Sequence, residues 1–174
     1  MQETARQIRQ RGADAPSVAE VMSAAGMTHG GFYKHFASRD ELIAEAAEQA
    51  MADSEPVVAA ALASEDPLAA FADWYLSAGH RDDPGSGCAV AALSGDAPRV
   101  EGVRDAYRRQ VERYLEVLEE MLGNGPGSRD RAAVTLSALV GALVIARALG
   151  DTPTSQALLA DVRDAVRQRR LLPG

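Results

Sequence analysis

The sequence predicts an all-α fold, an N-terminal three-helix helix-turn-helix module followed by a helical C-terminal body, with about nine helices in all. Three observations carry this. Ala, Leu, Glu and Arg dominate the chain, apolar residues recur at three- and four-residue spacing, and no β-branched run alternates as a strand would. Breakers then divide the helices: Gly12 to Pro16, Gly26, Ala37-Ser38, Glu65 to Pro67, Gly79 to Gly87, Gly95 to Pro98, Gly123 to Ser128 and Gly150 to Pro153.

The first helix supplies mainly Ala5 and Ile8 to the module's core. Ser17 to Ala25 follows as a short amphipathic helix with Val18, Val21, Met22 and Ala25 on one face. Gly26 ends it in the left-handed conformation, and Thr28 caps the next helix. That helix sets Phe32 and Phe36 one turn apart, able to pack on its predecessor, while His29, Gly30, Tyr33 and Lys34 point elsewhere. Two short helices joined by a glycine turn form a helix-turn-helix, whose second helix enters a major groove.

Gly30 and Gly31 make that second helix unusual. Each costs roughly 1 kcal/mol relative to Ala inside a helix. A bare first turn lets the helix end approach a phosphate closely, which would offset the cost. Relief of crowding is the alternative reading.

Ser38-Arg39-Asp40-Glu41 is a capping box: Ser38 accepts from the Glu41 amide, and the Glu41 side chain reaches back to the Ser38 amide. The helical pattern runs on to about Ala63, with Pro56 expected to kink or split it. The expected division is therefore a DNA-binding domain over 1–45 and an effector-binding and dimerisation domain over 46–174.

In the body, Tyr107 to Leu122 reads as a central helix with one broad apolar face. Arg131 to Leu149 is apolar on more than one side and needs cover on several, from a twofold partner or from its own subunit. If a twofold partner gives that cover, the residues it meets are Leu136, Leu139, Val140 and Leu143, with Leu158, Val162 and Val166 from the last helix.

The charge pattern limits the partners. The net charge is −7, which opposes nucleic-acid binding through the whole surface. Up to Glu45, however, Arg6, Arg9, Arg11, Lys34 and Arg39 nearly balance Glu3, Asp14, Glu20, Asp40, Glu41 and Glu45, so most excess acid lies downstream. Any DNA contact is local. The longest uninterrupted apolar run, Ala138 to Ala146, is too short to span a bilayer, and the polar first residues lack a signal-like apolar stretch. The expectation is a cytoplasmic protein without membrane contact.

Cys88 is the single cysteine, which excludes an internal disulfide framework and a multi-cysteine zinc site. The three histidines are scattered, so no metal or other cofactor is expected. A Cys88 nucleophile with His80 as base lacks a third orienting group and an oxyanion loop, and the chain is not read as an enzyme. Phe71, Trp74, Tyr75, His80, Cys88, Tyr107, Tyr114 and Met121 gather around one glycine-rich break as candidate contacts for a small apolar or aromatic effector. Each is individually more often a core residue. Cys88, at a helix start, is either a redox-sensing thiol or a small buried hydrophobe.

The run Ala25-Gly26-Met27-Thr28-His29-Gly30-Gly31-Phe32-Tyr33-Lys34-His35-Phe36, followed by Ser38-Arg39-Asp40-Glu41-Leu42, resembles the recognition-helix signature of the TetR/AcrR family of transcriptional regulators. The likeness covers about residues 3–50; the first helix departs from it, with Ile8, Arg9 and Ala13 where the family has a Leu-Phe pair and an aromatic. The resemblance implies that Ser17, Thr28, Tyr33, His35 and Arg39 meet DNA phosphates, and that His29, Gly30, Gly31 and Lys34 approach base edges or the groove wall. It further implies a homodimer formed by the last two long helices, bound to double-stranded operator DNA as a repressor and released by the effector. The alternative from a different class is a helical small-molecule-binding or redox-sensing dimer with weak or lost DNA binding.

Overall fold

The structure, a computed structural model, describes residues 1–14, 17–24 and 34–171, the side chains of Val18, Ser23 and Ala24 excepted. The described residues are helical throughout: α1 (Gln2–Arg11), α2 (Val18–Ala24), α3 (Arg39–Ala52), α4 (Glu55–Leu62), α5 (Pro67–Tyr75), α6 (Ala78–Asp82), a 3-10 turn (Pro84–Ser86), α7 (Ala89–Ala92), α8 (Glu101–Met121), α9 (Ser128–Leu149) and α10 (Pro153–Arg167). They form two compact units, one of Met1–Asp53 with Pro84–Gln110, the other of Ser54–Asp83 with Val111–Gly174. The expected split at Pro56 is present: α3 stops at Ala52, and the proline sits in the first turn of α4, where its missing N–H costs nothing.

In the first unit, α1 packs on α3 through small side chains. Ala5 and Ile8 are fully buried, as the sequence indicates, and meet an interior of Leu42, Ile43, Ala46, Ala47 and Ala50. Arg9 is buried too, a cation that needs partners. It donates to the carbonyls of Gly85 (2.6 Å) and Ala50 (3.3 Å) and to the Asp53 carboxylate (2.7 Å). Burial pushes the Asp53 carboxyl up, but hydrogen bonds from Arg9 and Gln49 outweigh this and hold it below its ordinary value. Gly102, at the start of α8, lies against α3: a Cβ there would be 2.6 Å from the Ala44 Cβ. Only glycine permits that approach.

In the second unit, local signals delimit each helix. Asp66 caps α5 by accepting from the Ala69 amide, and Thr152 caps α10 by accepting from the Ser155 amide. Pro67 and Pro153 open these helices, and Gly150, at φ 64, closes α9. The stretch Gly79 to Gly87, expected as a break, is instead α6 and the 3-10 turn, because Ser77 caps α6 through the His80 amide. The core joins Leu68, Phe71, Tyr75, Tyr114, Leu118, Leu139, Leu143 and Leu159.

Helix α9 has a mean hydropathy of 2.0 over its most apolar window, long and apolar enough by length and composition to cross a membrane. Its packing gives another account of that character. Leu136, Leu139 and Leu143 enter the unit's own core, and Arg147 donates to the His80 carbonyl at 2.9 Å. The opposite side leaves Val134, Val144, Ile145 and Leu149 exposed.

Candidate functional site

Of the nine residues proposed to meet DNA, Thr28, His29, Gly30, Gly31 and Tyr33 lie outside the described residues. Ser17, Lys34, His35 and Arg39 flank that segment on both sides. Ser17 is exposed and starts α2 as a full capping box. Its Oγ accepts from the Glu20 amide (3.2 Å), while the Glu20 carboxylate accepts from both the Ser17 amide and the Ser17 hydroxyl (2.8 Å each). Those bonds, the amide first, lower the Glu20 pKa. The Ser-x-x-Glu spacing at 17–20 is a second capping-box signature beside the one at 38–41.

Lys34 and His35 are exposed in the turn that leads to α3. Arg39 is half-buried, and its Nη2 donates to the Ala13 carbonyl at 2.7 Å, tying the start of α3 to the end of the α1 segment. The cap of α3 differs in one detail from expectation. Ser38 accepts from the Glu41 amide at 3.1 Å, but the Glu41 carboxylate takes the Ala37 amide (2.5 Å) rather than that of Ser38. The orphan donors are satisfied one residue earlier, where the chain turns. Together these contacts present a lysine and an imidazole, both charged or donor-capable groups, at the surface beside the segment that resembles a recognition helix.

The effector candidates divide between the units. Phe71, Trp74, Tyr75, His80 and Tyr114 form one ring cluster in the second unit. Phe71 lies 5.5 Å from Tyr75 and 6.2 Å from Tyr114 between centroids, and His80 stacks on Trp74 at 4.5 Å. The Tyr75 carbonyl can only accept, so His80 Nδ1 carries a proton and donates to it at 2.7 Å. Burial is the main reason that the His80 pKa is pushed down to about 4. Met121 is buried in the same unit, whereas Cys88 and Tyr107 belong to the first. Burial, and then the neighbouring Cys88 thiol, raise the Tyr107 phenol. Cys88 is only 1% exposed. Among the described residues no three His, Cys, Asp or Glu side chains are arranged to hold a metal ion.

A cavity of about 280 Å³ in the second unit is lined by other residues: Leu68, Leu122, Arg131, Thr135, Val166, Arg169 and Leu171. Sequence reasoning did not select them as effector contacts, because they come from four separated stretches of chain. The proposed dimer residues also sort by burial. Leu136, Leu139, Leu143 and Val166 are enclosed by their own protomer, while Val140, Leu158 and Val162 are half-buried. The exposed apolar side of α9 consists instead of Val134, Val144, Ile145 and Leu149, which the apolar periodicity could not separate from the inward side.

Residues 1–46 match the model of the bacterial regulatory proteins of the tetR family. No curated protein matches the chain. Among solved structures, it resembles E. coli NemR in its reduced form at 21% identity and TM-score 0.79, over 96% of this chain and 95% of that one. A TetR-family transcriptional regulator from Agrobacterium tumefaciens matches at 21% identity and TM-score 0.78, over 95% and 94% of the two chains. One from Cytophaga hutchinsonii matches at 17% identity and TM-score 0.80, over 95% and 90%.

Proposed function

We propose, from the match of residues 1–46 to the model of the bacterial regulatory proteins of the tetR family, that the chain is a ligand-responsive repressor that binds double-stranded operator DNA as a homodimer. Residues 1–45 are the DNA-binding domain and 46–174 the effector-binding and dimerisation domain. The observation that carries this reading is the family match itself, with Lys34 and His35 exposed within it. Ser17, Thr28, Tyr33, His35 and Arg39 meet phosphates, and His29, Gly30, Gly31 and Lys34 face the groove. A small apolar or aromatic effector binds at the ring cluster of the body. Linkage then requires effector and operator to weaken each other by the same factor.

The outer side of α9 supports the homodimer: four apolar side chains on one helix side, with Ile145 51% exposed, are what an isologous interface would cover. Ile145→Glu is expected to convert a dimer into a folded monomer in sedimentation analysis. A monomer in the unsubstituted protein would remove this part of the proposal.

The deciding experiment is a shift assay on the promoter region adjoining the protein's own coding sequence. Binding is expected to prefer that region over bulk DNA and to fall steeply with salt. Lys34→Gln in both protomers is expected to weaken binding and, if Lys34 meets phosphate rather than base, to reduce the log–log salt slope by about 2. Absence of any preference for the adjoining region would defeat the operator reading.

A further inference from the structure

The cavity lined by Leu68, Leu122, Arg131, Thr135, Val166, Arg169 and Leu171 lies wholly within the second unit. Its volume of about 280 Å³ falls just below the usual ~300–1,000 Å³ for small-molecule sites, which suits a small ligand. Four aliphatic side chains make its walls and two arginines and one hydroxyl its polar part, and none of the described residues that line it is acidic. In a chain of net charge −7, two lining cations, one of them paired loosely with Asp66, set this cavity apart.

Thr135 is the most informative member. It is only 5% exposed and lines the cavity, so it sets a hydroxyl-bearing side chain in an otherwise enclosed wall. Ser137, on the exposed side of the same helix, closes back on the Ala133 carbonyl at 2.8 Å. A hydroxyl that faces a cavity can donate to or accept from a ligand oxygen there.

Both arginines keep donor capacity. Arg131 commits Nη1 to the Pro126 carbonyl at 3.1 Å, which uses only part of its donor fork. Arg169 reaches Asp66 only loosely, at 3.5 Å. It also occupies the left-handed position after α10, at φ 52, where glycine is preferred. A planar guanidinium fork matches a carboxylate, and the aliphatic walls match an apolar body.

We infer that this cavity binds a small amphiphilic monocarboxylate, an anion with a short alkyl or single-ring body. Its oxygens accept from Thr135 Oγ1 and the Arg131 guanidinium while its body lies on Leu68, Leu122 and Val166. The site is separate from the ring cluster, and its binding does not depend on the DNA reading.

Calorimetric titration of the full chain with octanoate and phenylacetate, beside octanol and phenylethanol as neutral counterparts and acetate as head group alone, tests this. Saturable binding of the two acids is expected, with the alcohols about ten-fold weaker or worse and acetate silent. Arg131→Gln should weaken the acids by about ten-fold and leave the alcohols unchanged. Thr135→Val should weaken the acids without lowering the Tm of the free protein, a result that a structural role for the hydroxyl would not give. Val166→Phe, which fills the cavity from its buried wall, should abolish binding of acids and alcohols together. Equal affinity for acids and alcohols, indifference of the acids to Arg131→Gln, or no saturable heat overturns the inference.

Discussion

The two units hold together by different means. The first has an interior of alanines around Ile8, Leu42 and Ile43, and it relies on polar ties and close backbone approach: the buried Arg9, Arg39 on the Ala13 carbonyl, and Gly102 against Ala44. The second encloses Phe71, Tyr75 and Tyr114 among leucines. Each alanine removes little apolar area from water, whereas each ring removes ~150–250 Å². The contrast teaches that the first unit should be sensitive to added volume and lost hydrogen bonds, and the second to lost volume.

The largest effect should come from Phe71→Ala, which empties the centre of the ring cluster. It is expected to destabilise the second unit by ~3–5 kcal/mol. Trp74, the sole tryptophan, reports on that unit directly, so urea unfolding followed by its fluorescence measures the loss. An effect below 1 kcal/mol would contradict the account of this core.

Acid should act on the same unit next. The folded-state pKa of His80 is depressed to about 4 from the ordinary 6.5, so the folded protein favours the neutral ring. Stability from this group is fully present above pH 6.5 and is lost as pH falls toward 4, by on the order of 3 kcal/mol in total. His80→Phe should flatten the Trp74-detected stability profile in that window. A profile as steep as that of the unsubstituted protein would assign the acid sensitivity elsewhere.

Gly102→Val tests the first unit by adding volume at a close approach of two helices. The new Cβ meets Ala44 at 2.6 Å, and a cost of ~1–3 kcal/mol is expected. Amide exchange should show lost protection in α1 and α3 and unchanged protection in α9. Uniform loss across both units would erase the contrast drawn here.

Ser17→Ala should give the smallest change, about 1 kcal/mol, by removing the cap of α2. Because Ser17 is also proposed to meet phosphate, the substitution is best read in two measurements: amide exchange in α2 and the salt slope of operator binding. A cap alone moves the first; a phosphate contact moves both.

Local signals foretold much of this architecture. Ser38, Asp66 and Thr152 before their helices, Pro56, Pro67 and Pro153 in first turns, and Gly12 and Gly150 after helix ends all act within a few residues of themselves. A reader of the chain can therefore place them. The same locality explains why the tetR-type motif was recognisable, since its residues are contiguous and its family model ends at residue 46.

What the chain alone left open was decided between distant residues. Leu139 and Ile145 belong to one apolar run, yet the first is sealed in the protomer and the second stands 51% exposed, because only the packed neighbours of α9 select which side turns inward. Arg9 found its carbonyl partner at Gly85, and the cavity drew Leu68, Leu122, Thr135 and Val166 together. Caps and breakers are chosen by short-range hydrogen bonds and backbone torsions, and so are written in neighbouring residues. Facing, enclosure and cavity shape arise from many weak contacts made at once across the chain, and exist only after it has folded.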